Sequence, residues 1–289
     1  MREEMHGVLF TIKVLRYITD MPIQKFQKIN GNILKLVAIV TMLVDHLAAA
    51  AILPVVVDGH YHGAMTIAQL NKIYYAMRCI GRWAFPIFCF LLVEGFTHTK
   101  SKLKYALSLL CFGLVSEIPF DIAFYADNDP CNPNVLDVIS ANWPGFLEQS
   151  NVYFTLLFGL LVIWAIDTSF AFIREKKLPT ELTMVSCVFF TLVGSVITYK
   201  INTDYDYRGI VLIVIFYILR KHRGLALLAS YMFICTMYLE QMSFPGYILM
   251  ALYNNKRGRK LGKLKYIFYV FYPVHLILIY IFRCIYAMH

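Results

Sequence analysis

Long apolar runs separated by short polar intervals set the pattern along this chain. Nine stand out, at 33–55, 73–97, 103–125, 151–172, 182–200, 208–219, 224–239, 243–254 and 266–287. Most approach the roughly 20 residues an α-helix needs to cross a hydrocarbon core of about 30 Å. The sixth and eighth are short. Lipid offers no partner to a backbone N–H or C=O, so each run predicts a helix that satisfies its own backbone. The expected fold is all-α: a polytopic transmembrane helix bundle of about nine spans, forming one domain over residues 32–289. Residues 1–31 are mixed. Lys13 and Arg16 interrupt GVLFTIKVLRYI too early for a span, and no small-residue cleavage site follows. An amphipathic helix lying on the inner membrane surface is expected there, and not a signal peptide.

Composition agrees. Hydrophobic residues make up 59% of the 289 and charged residues only 16%, against about 45–50% and about 25% in soluble domains. The formal net charge of +9 would suit nucleic acid, but no basic stripe is interleaved with exposed aromatics, so no nucleic-acid partner is expected. The bases fall instead in alternate loops. Loops 98–104, 173–181, 220–223 and 255–265 carry 15 of them, and the segment through Lys35 carries six more, 21 of the 27 in all. The intervening loops hold Asp58, Asp127, Asp129, Asp137, Glu148, Asp204 and Asp206. By the positive-inside rule this predicts a multi-pass protein of the cytoplasmic (inner) membrane, with its N-terminus cytoplasmic and its C-terminus outside. Six of the seven cysteines lie in apolar runs, and only Cys131 lies in a polar loop. They show no metal-ligand spacing and leave no partner for an internal disulfide, so neither a metal nor a disulfide is expected. The long acidic loop 126–150 reads equally as a lid or substrate-contacting loop and as a passive connector.

Charges inside apolar runs are costly, about 2.5–3.5 kcal/mol each at a helix centre on insertion scales, and they tend to mark function. Here they are Asp45, His46, Arg78, Arg82, Glu94, Glu117, Asp121, Asp167 and His275. At about 1.5 Å per residue, Asp45, His46, Arg82 and His275 share a layer near the midplane. Arg78 and Glu117 come one turn further out, and Asp121, Asn151, Asp206 and Arg208 lie at outer helix ends. The set predicts a polar funnel opening outward. Arg78 and Arg82 share one helix face at i,i+4, as do Glu117 and Asp121 on the next helix, so ion pairs between the two faces are expected. Asp45 and His46 diverge by about 100° as neighbours on a helix. They are therefore expected to serve different partners, Asp45 an arginine of the second span and His46 the cavity or Glu117. A histidine so placed is suited to act as a general base. Ion pairs that merely fix helix register are the structural alternative. Near the inner edge Glu94 and His98, at i,i+4, read as an interfacial pair or as a gate on the cytoplasmic side, and Asp167 is expected to be solvated.

The segments KLVAIVTMLVDH, RCIGRWAFPIFCFLLVEGFTHTK, SEIPFDIAF, NVYFTLLFGLL, DYDYRG and YPVHLIL, in that order over roughly 32–280, resemble the TraX family. That family is named for an acetylase of conjugative pilin and is similar to transmembrane acyltransferases such as heparan-alpha-glucosaminide N-acetyltransferase and the membrane O-acetylases. The resemblance implies a membrane acetyltransferase that moves acetyl from cytosolic acetyl-CoA to an amine or hydroxyl of a peptide, glycan or small molecule at the outer side. It puts His46 with Asp45 at the reaction centre, lined by Arg78, Arg82, Glu117, Asp121, Asn151, Asp206, Arg208 and His275. The chemistry suits these residues. His46 or His275 would take the acceptor proton, with Glu117 as a further catalytic carboxylate. Arg82 or the Asn151 amide would meet the oxyanion. Arg78 and Arg82 are the expected acetyl-CoA contacts, and Asp121, Asn151, Asp206 and Arg208 the acceptor contacts. No serine or cysteine nucleophile stands out, so direct transfer is expected. Two other functions suit the same residues: a proton-coupled transporter, and a non-catalytic assembly factor for a surface structure.

Overall fold

The computed structural model describes residues 27–57, 59, 61–126, 128–143, 145, 146, 148–259, 262 and 266–287. The surface helix expected in 1–31 falls almost wholly outside them. Among the described residues the chain is all-helical, with no strand and only isolated bridges at Ile29–Tyr253 and Ser150–Thr203.

Helix α1 runs Gly31–Val57. Asn30 opens it as an N-cap, its side chain accepting from the N–H groups of Asn32 and Ile33, which satisfies two of the otherwise orphaned first-turn donors. Just past His46 the helix widens into a π-helical turn, Ala48–Ile52, of the kind that is rare and concentrates at functional sites. The expected span 73–97 starts earlier and is bent: α2, Ile67–Gly81, and α3, Ala84–His98, meet at Arg82–Trp83. Pro86 lies in the first turn of α3, where its missing N–H costs nothing and its ring forbids a continuous helix through the joint. A Thr66–Gln69 capping box starts α2.

Helix α4 spans Lys102–Phe124, α5 is a short helix at Val135–Asn142, α6 spans Val152–Glu175 and α7 spans Glu181–Lys200. Then come α8, Asp206–Ile218; α9, Arg223–Ile234; a 3-10 turn, Glu240–Ser243, leading into α10, Phe244–Ala251; and α11, Ile267–Ala287. Six of the described helical segments are long and apolar enough to cross a membrane: α1, the bent α2–α3 unit, α4, α6, α7 and α11. Helices α8, α9 and α10 have only 13, 12 and 8 residues.

The core runs between α1, α3, α4, α6, α8 and α11, through Leu34, Ala38, Leu92, Leu160, Ile163, Ile210 and Leu276. Helix α7 packs on α6 and α8 and otherwise exposes Val185, Phe189, Leu192 and Val196, as a lipid-facing helix does. Two polar contacts tie one end of the bundle. Asp167 accepts from Lys102 at 2.6 Å and from the Tyr217 hydroxyl at 2.7 Å, so it is anchored where solvation alone was expected. Glu94 takes the Tyr253 hydroxyl at 3.3 Å, while His98 Nδ1 lies 2.8 Å from the Glu94 backbone carbonyl and 3.0 Å from the Thr97 hydroxyl. The expected Glu94–His98 side-chain pair does not form, because that carbonyl is nearer along the helix.

At the other end α5 packs against the end of α11, where the Tyr280 hydroxyl donates to the Asn132 carbonyl. Arg283, 1% exposed, donates to the carbonyls of Ala50, Ala123 and Ile122. These carbonyls belong to the π turn of α1 and the last turn of α4, both of which leave acceptors without helical partners.

Candidate active site

Asp45 is the centre of the polar layer. Its Oδ2 accepts from Arg78 Nη1 at 2.6 Å and its Oδ1 from Arg82 Nη2 at 2.7 Å. A buried carboxylate is tolerable only when paired and hydrogen-bonded, and here each oxygen has a guanidinium. The bend at Arg82–Trp83 brings both arginines of one helix face onto this single acid. Gly81 makes the approach possible, since a Cβ at that position would overlap the Asp45 carboxylate.

Arg82 holds a second acid. Its Nη1 donates to Glu240 Oε1 at 3.0 Å and its Nε to the Arg78 carbonyl at 3.3 Å. The arginines therefore pair with Asp45 and Glu240, and not with Glu117 and Asp121 as their spacing suggested. Glu117 meets Asn151, whose Nδ2 donates to Glu117 and to the Gly113 carbonyl while its Oδ1 caps α6 by accepting from Tyr153 N at 3.0 Å. That uses both hydrogens of the Asn151 amide and leaves no donor for an oxyanion. Asp121 is buried at 1% exposure.

His46 turns to neither Glu117 nor Asp45. Its Nδ1 lies 2.7 Å from His275 Nε2, and His275 Nδ1 lies 2.8 Å from the Phe271 carbonyl. A carbonyl only accepts, so His275 carries its proton on Nδ1. In the neutral pair His275 Nε2 then accepts, His46 donates from Nδ1, and His46 Nε2 keeps a bare lone pair. Phe124 and Tyr272 pack edge-on against the His46 ring. Pro273 helps to hold α11 here. It lacks the N–H that would reach the Tyr269 carbonyl, and that carbonyl accepts the Tyr153 hydroxyl at 3.1 Å.

A cavity of about 530 Å³ lies beside these groups, lined by Asp45, His46, Arg78, Arg82, Arg208 and Glu240 together with Asp204 and an apolar floor that includes Met42, Phe85 and Phe88. Of the ten residues singled out in the sequence, five face it: Asp45, His46, Arg78, Arg82 and Arg208. His275 stands behind His46. Glu117, Asp121 and Asn151 lie behind the wall, and Asp206 pairs with Arg208 at 3.4 Å. Among the described residues none of 126–150 lines the cavity.

Two lining acids escaped the sequence reading. Asp204 looked like an ordinary loop acid, and Glu240 fell between two apolar runs. Asp204 is open to the cavity yet surrounded by protein, and that desolvation pushes its carboxyl up to about 6.

The family model described as TraX protein matches residues 30–283. This chain belongs to the TraX family. The polar layer and the cavity of this TraX chain lie wholly within the matched stretch. The chain is also 30% identical over 261 residues to "Probable fimbrial assembly protein FimC, serogroup H1" of Dichelobacter nodosus, an alignment covering 85% of this chain and 92% of that relative. No solved structure matches.

Proposed function

We propose that this chain is an integral membrane acetyltransferase of a fimbrial or pilin assembly system, moving acetyl from cytosolic acetyl-CoA to an amine or hydroxyl at the outer side of the cytoplasmic membrane. The carrying observation is the His275–His46 relay, which leaves His46 Nε2 as the unprotonated acceptor of a ring that lines a cavity holding three arginines, Arg78, Arg82 and Arg208. As the acceptor attacks the thioester carbonyl, His46 Nε2 takes its proton. A guanidinium from the Asp45 cluster faces the oxyanion of the tetrahedral intermediate, in a site where low dielectric strengthens that contact. The C–S bond then breaks, and the imidazolium returns the proton to the departing thiolate.

The topology in this proposal keeps the N-terminus cytoplasmic and the C-terminus outside. Nine apolar segments give that outcome. Arg223, at the start of α9, bonds the Tyr253 carbonyl just past α10, so the α9–α10 pair returns to the side it entered. Parity is then the same whether the pair crosses fully or only part-way.

The test is to incubate purified protein with labelled acetyl-CoA and a panel of amine and hydroxyl acceptors, comparing wild type with His46→Ala. Acetyl transfer by the wild type and its loss in the variant are expected. Absence of transfer to every acceptor sinks the enzyme reading. A non-catalytic assembly factor is the second reading, favoured by the name of the D. nodosus relative. It requires fimbriation to survive His46→Ala undiminished.

A further inference from the structure

The tip between α9 and α10 is built in a way that its length alone does not require. Leu239 has φ 67° and is buried. A bulky side chain in the left-handed region is uncommon and persists only where its surroundings enforce it. The turn is braced by Ser243 Oγ, which donates to the Glu240 carbonyl at 2.6 Å. Its product is the position of Glu240, 1% exposed, against Arg82.

The two arginines consequently differ. Arg82 is committed at all three of its nitrogens, Nε to the Arg78 carbonyl, Nη1 to Glu240 and Nη2 to Asp45. Arg78 makes one side-chain hydrogen bond among the described residues, through Nη1 to Asp45, and its side chain is 26% exposed on the cavity. A guanidinium has five N–H donors in a fixed fork, so Arg78, with one in use, keeps four for a ligand, whereas Arg82, with three in use and its fork held between two acids, keeps two.

We propose that Glu240 is a positioning residue of the site, locking Arg82 onto Asp45, and that Arg78 is the guanidinium that contacts the thioester carbonyl as it becomes an oxyanion; this rests on the acetyl-transfer reading above. Asp45 serves both arginines with one oxygen each. Remove the Glu240 charge, and Arg82 is balanced by Asp45 alone. The carboxylate is drawn toward Arg82, and Arg78 loses the bond that aims it.

The experiment uses the purified full chain, labelled acetyl-CoA and the best acceptor found for the wild type, with kcat and KM measured for Glu240→Gln, Arg82→Lys, Arg78→Lys and the Glu240→Gln/Arg82→Lys pair. Glu240→Gln keeps shape and an acceptor oxygen, so folding is preserved, and thermal unfolding of each variant checks this. Arg78→Lys is expected to lose about a hundredfold in kcat, in the range seen when one oxyanion donor is removed. Glu240→Gln and Arg82→Lys are expected to lose about tenfold each, with KM for acetyl-CoA within about twofold and the double variant no worse than either single, as for residues acting as one unit. The proposal is overturned if Glu240→Gln turns over like the wild type, if Arg82→Lys costs more than Arg78→Lys, or if the losses simply follow lowered thermal stability. A wild type inactive with every acceptor defeats the acetyl-transfer reading itself, a result distinct from these.

Discussion

His46 Nδ1 sits 2.7 Å from His275 Nε2, and the second nitrogen of His275 is held 2.8 Å from the Phe271 carbonyl. One backbone oxygen thereby fixes the tautomers of two rings and leaves Nε2 as the bare nitrogen of His46, a ring that lines the cavity. In the proposed acetyl transfer His275 works through His46 and need not touch substrate. His275→Ala is expected to lower kcat by about ten- to a hundredfold with KM unchanged, while His46→Ala costs about 10²–10⁴, the usual contribution of a general base. Initial rates of CoA release measure both. Equal rates for His275→Ala and wild type would remove the relay.

Gly81 is the contact point between α2 and the Asp45 carboxylate. A methyl group there cannot be absorbed by a flexible chain end, because Asp45 is tied to both arginines. Gly81→Ala should cost about 1–3 kcal/mol of stability, as over-packing does elsewhere, and should lower activity more than that loss explains. Thermal unfolding in detergent alongside acetyl transfer separates the two effects. A variant matching the wild type in both would mean that Asp45 moves aside freely.

The apolar runs made the bundle legible, since lipid leaves a run of that length few alternatives to a helix. The divergence of Asp45 and His46 was legible too, because it follows from helical geometry alone, and the structure sends the two side chains to different partners. Partner choice was less so. Nothing in the spacing of Arg78 and Arg82 says that the chain bends at residue 82 and turns both toward one acid on α1. Glu240 was hidden because a charge between two short apolar runs reads as a solvated loop. Its burial depends on the turn at Leu239, which tertiary contacts impose. Arg283 lies near the end of the last run, where an arginine passes for a flank residue, and only the π turn of α1 and the end of α4 reveal why it is buried.

Arg283 holds three carbonyls from two helices. Arg283→Leu preserves bulk but leaves the Ala50, Ala123 and Ile122 oxygens without these donors, each worth about 1–3 kcal/mol when stranded in a buried place. A clear drop in the thermal midpoint in detergent is expected, larger than that of Arg283→Lys, whose ammonium can still reach one or two of the oxygens. An unchanged midpoint for Arg283→Leu would mean that water or a local rearrangement satisfies them.

Asp204 gives a pH dependence whose sign can be worked out. Burial pushes its carboxyl up to about 6 from an ordinary 3.8, with Arg82 opposing and Asp45 reinforcing the shift. The folded protein therefore binds a proton at Asp204 more tightly than the unfolded chain does. Its contribution to stability is fully present below about 4, declines as pH rises through about 6, and is flat beyond, because only between those values does the folded state hold the extra proton. Asp204→Asn has no such proton to lose. The midpoint of the wild type relative to Asp204→Asn should fall between pH 4 and pH 6.5 and stay constant to pH 8, where the variant is at least as stable. Thermal unfolding of both proteins in one detergent across that range measures the gap. A gap that does not vary with pH would mean that Asp204 is fully hydrated through the cavity mouth, and a gap that widens in the opposite direction would mean that the arginines, not burial, control it.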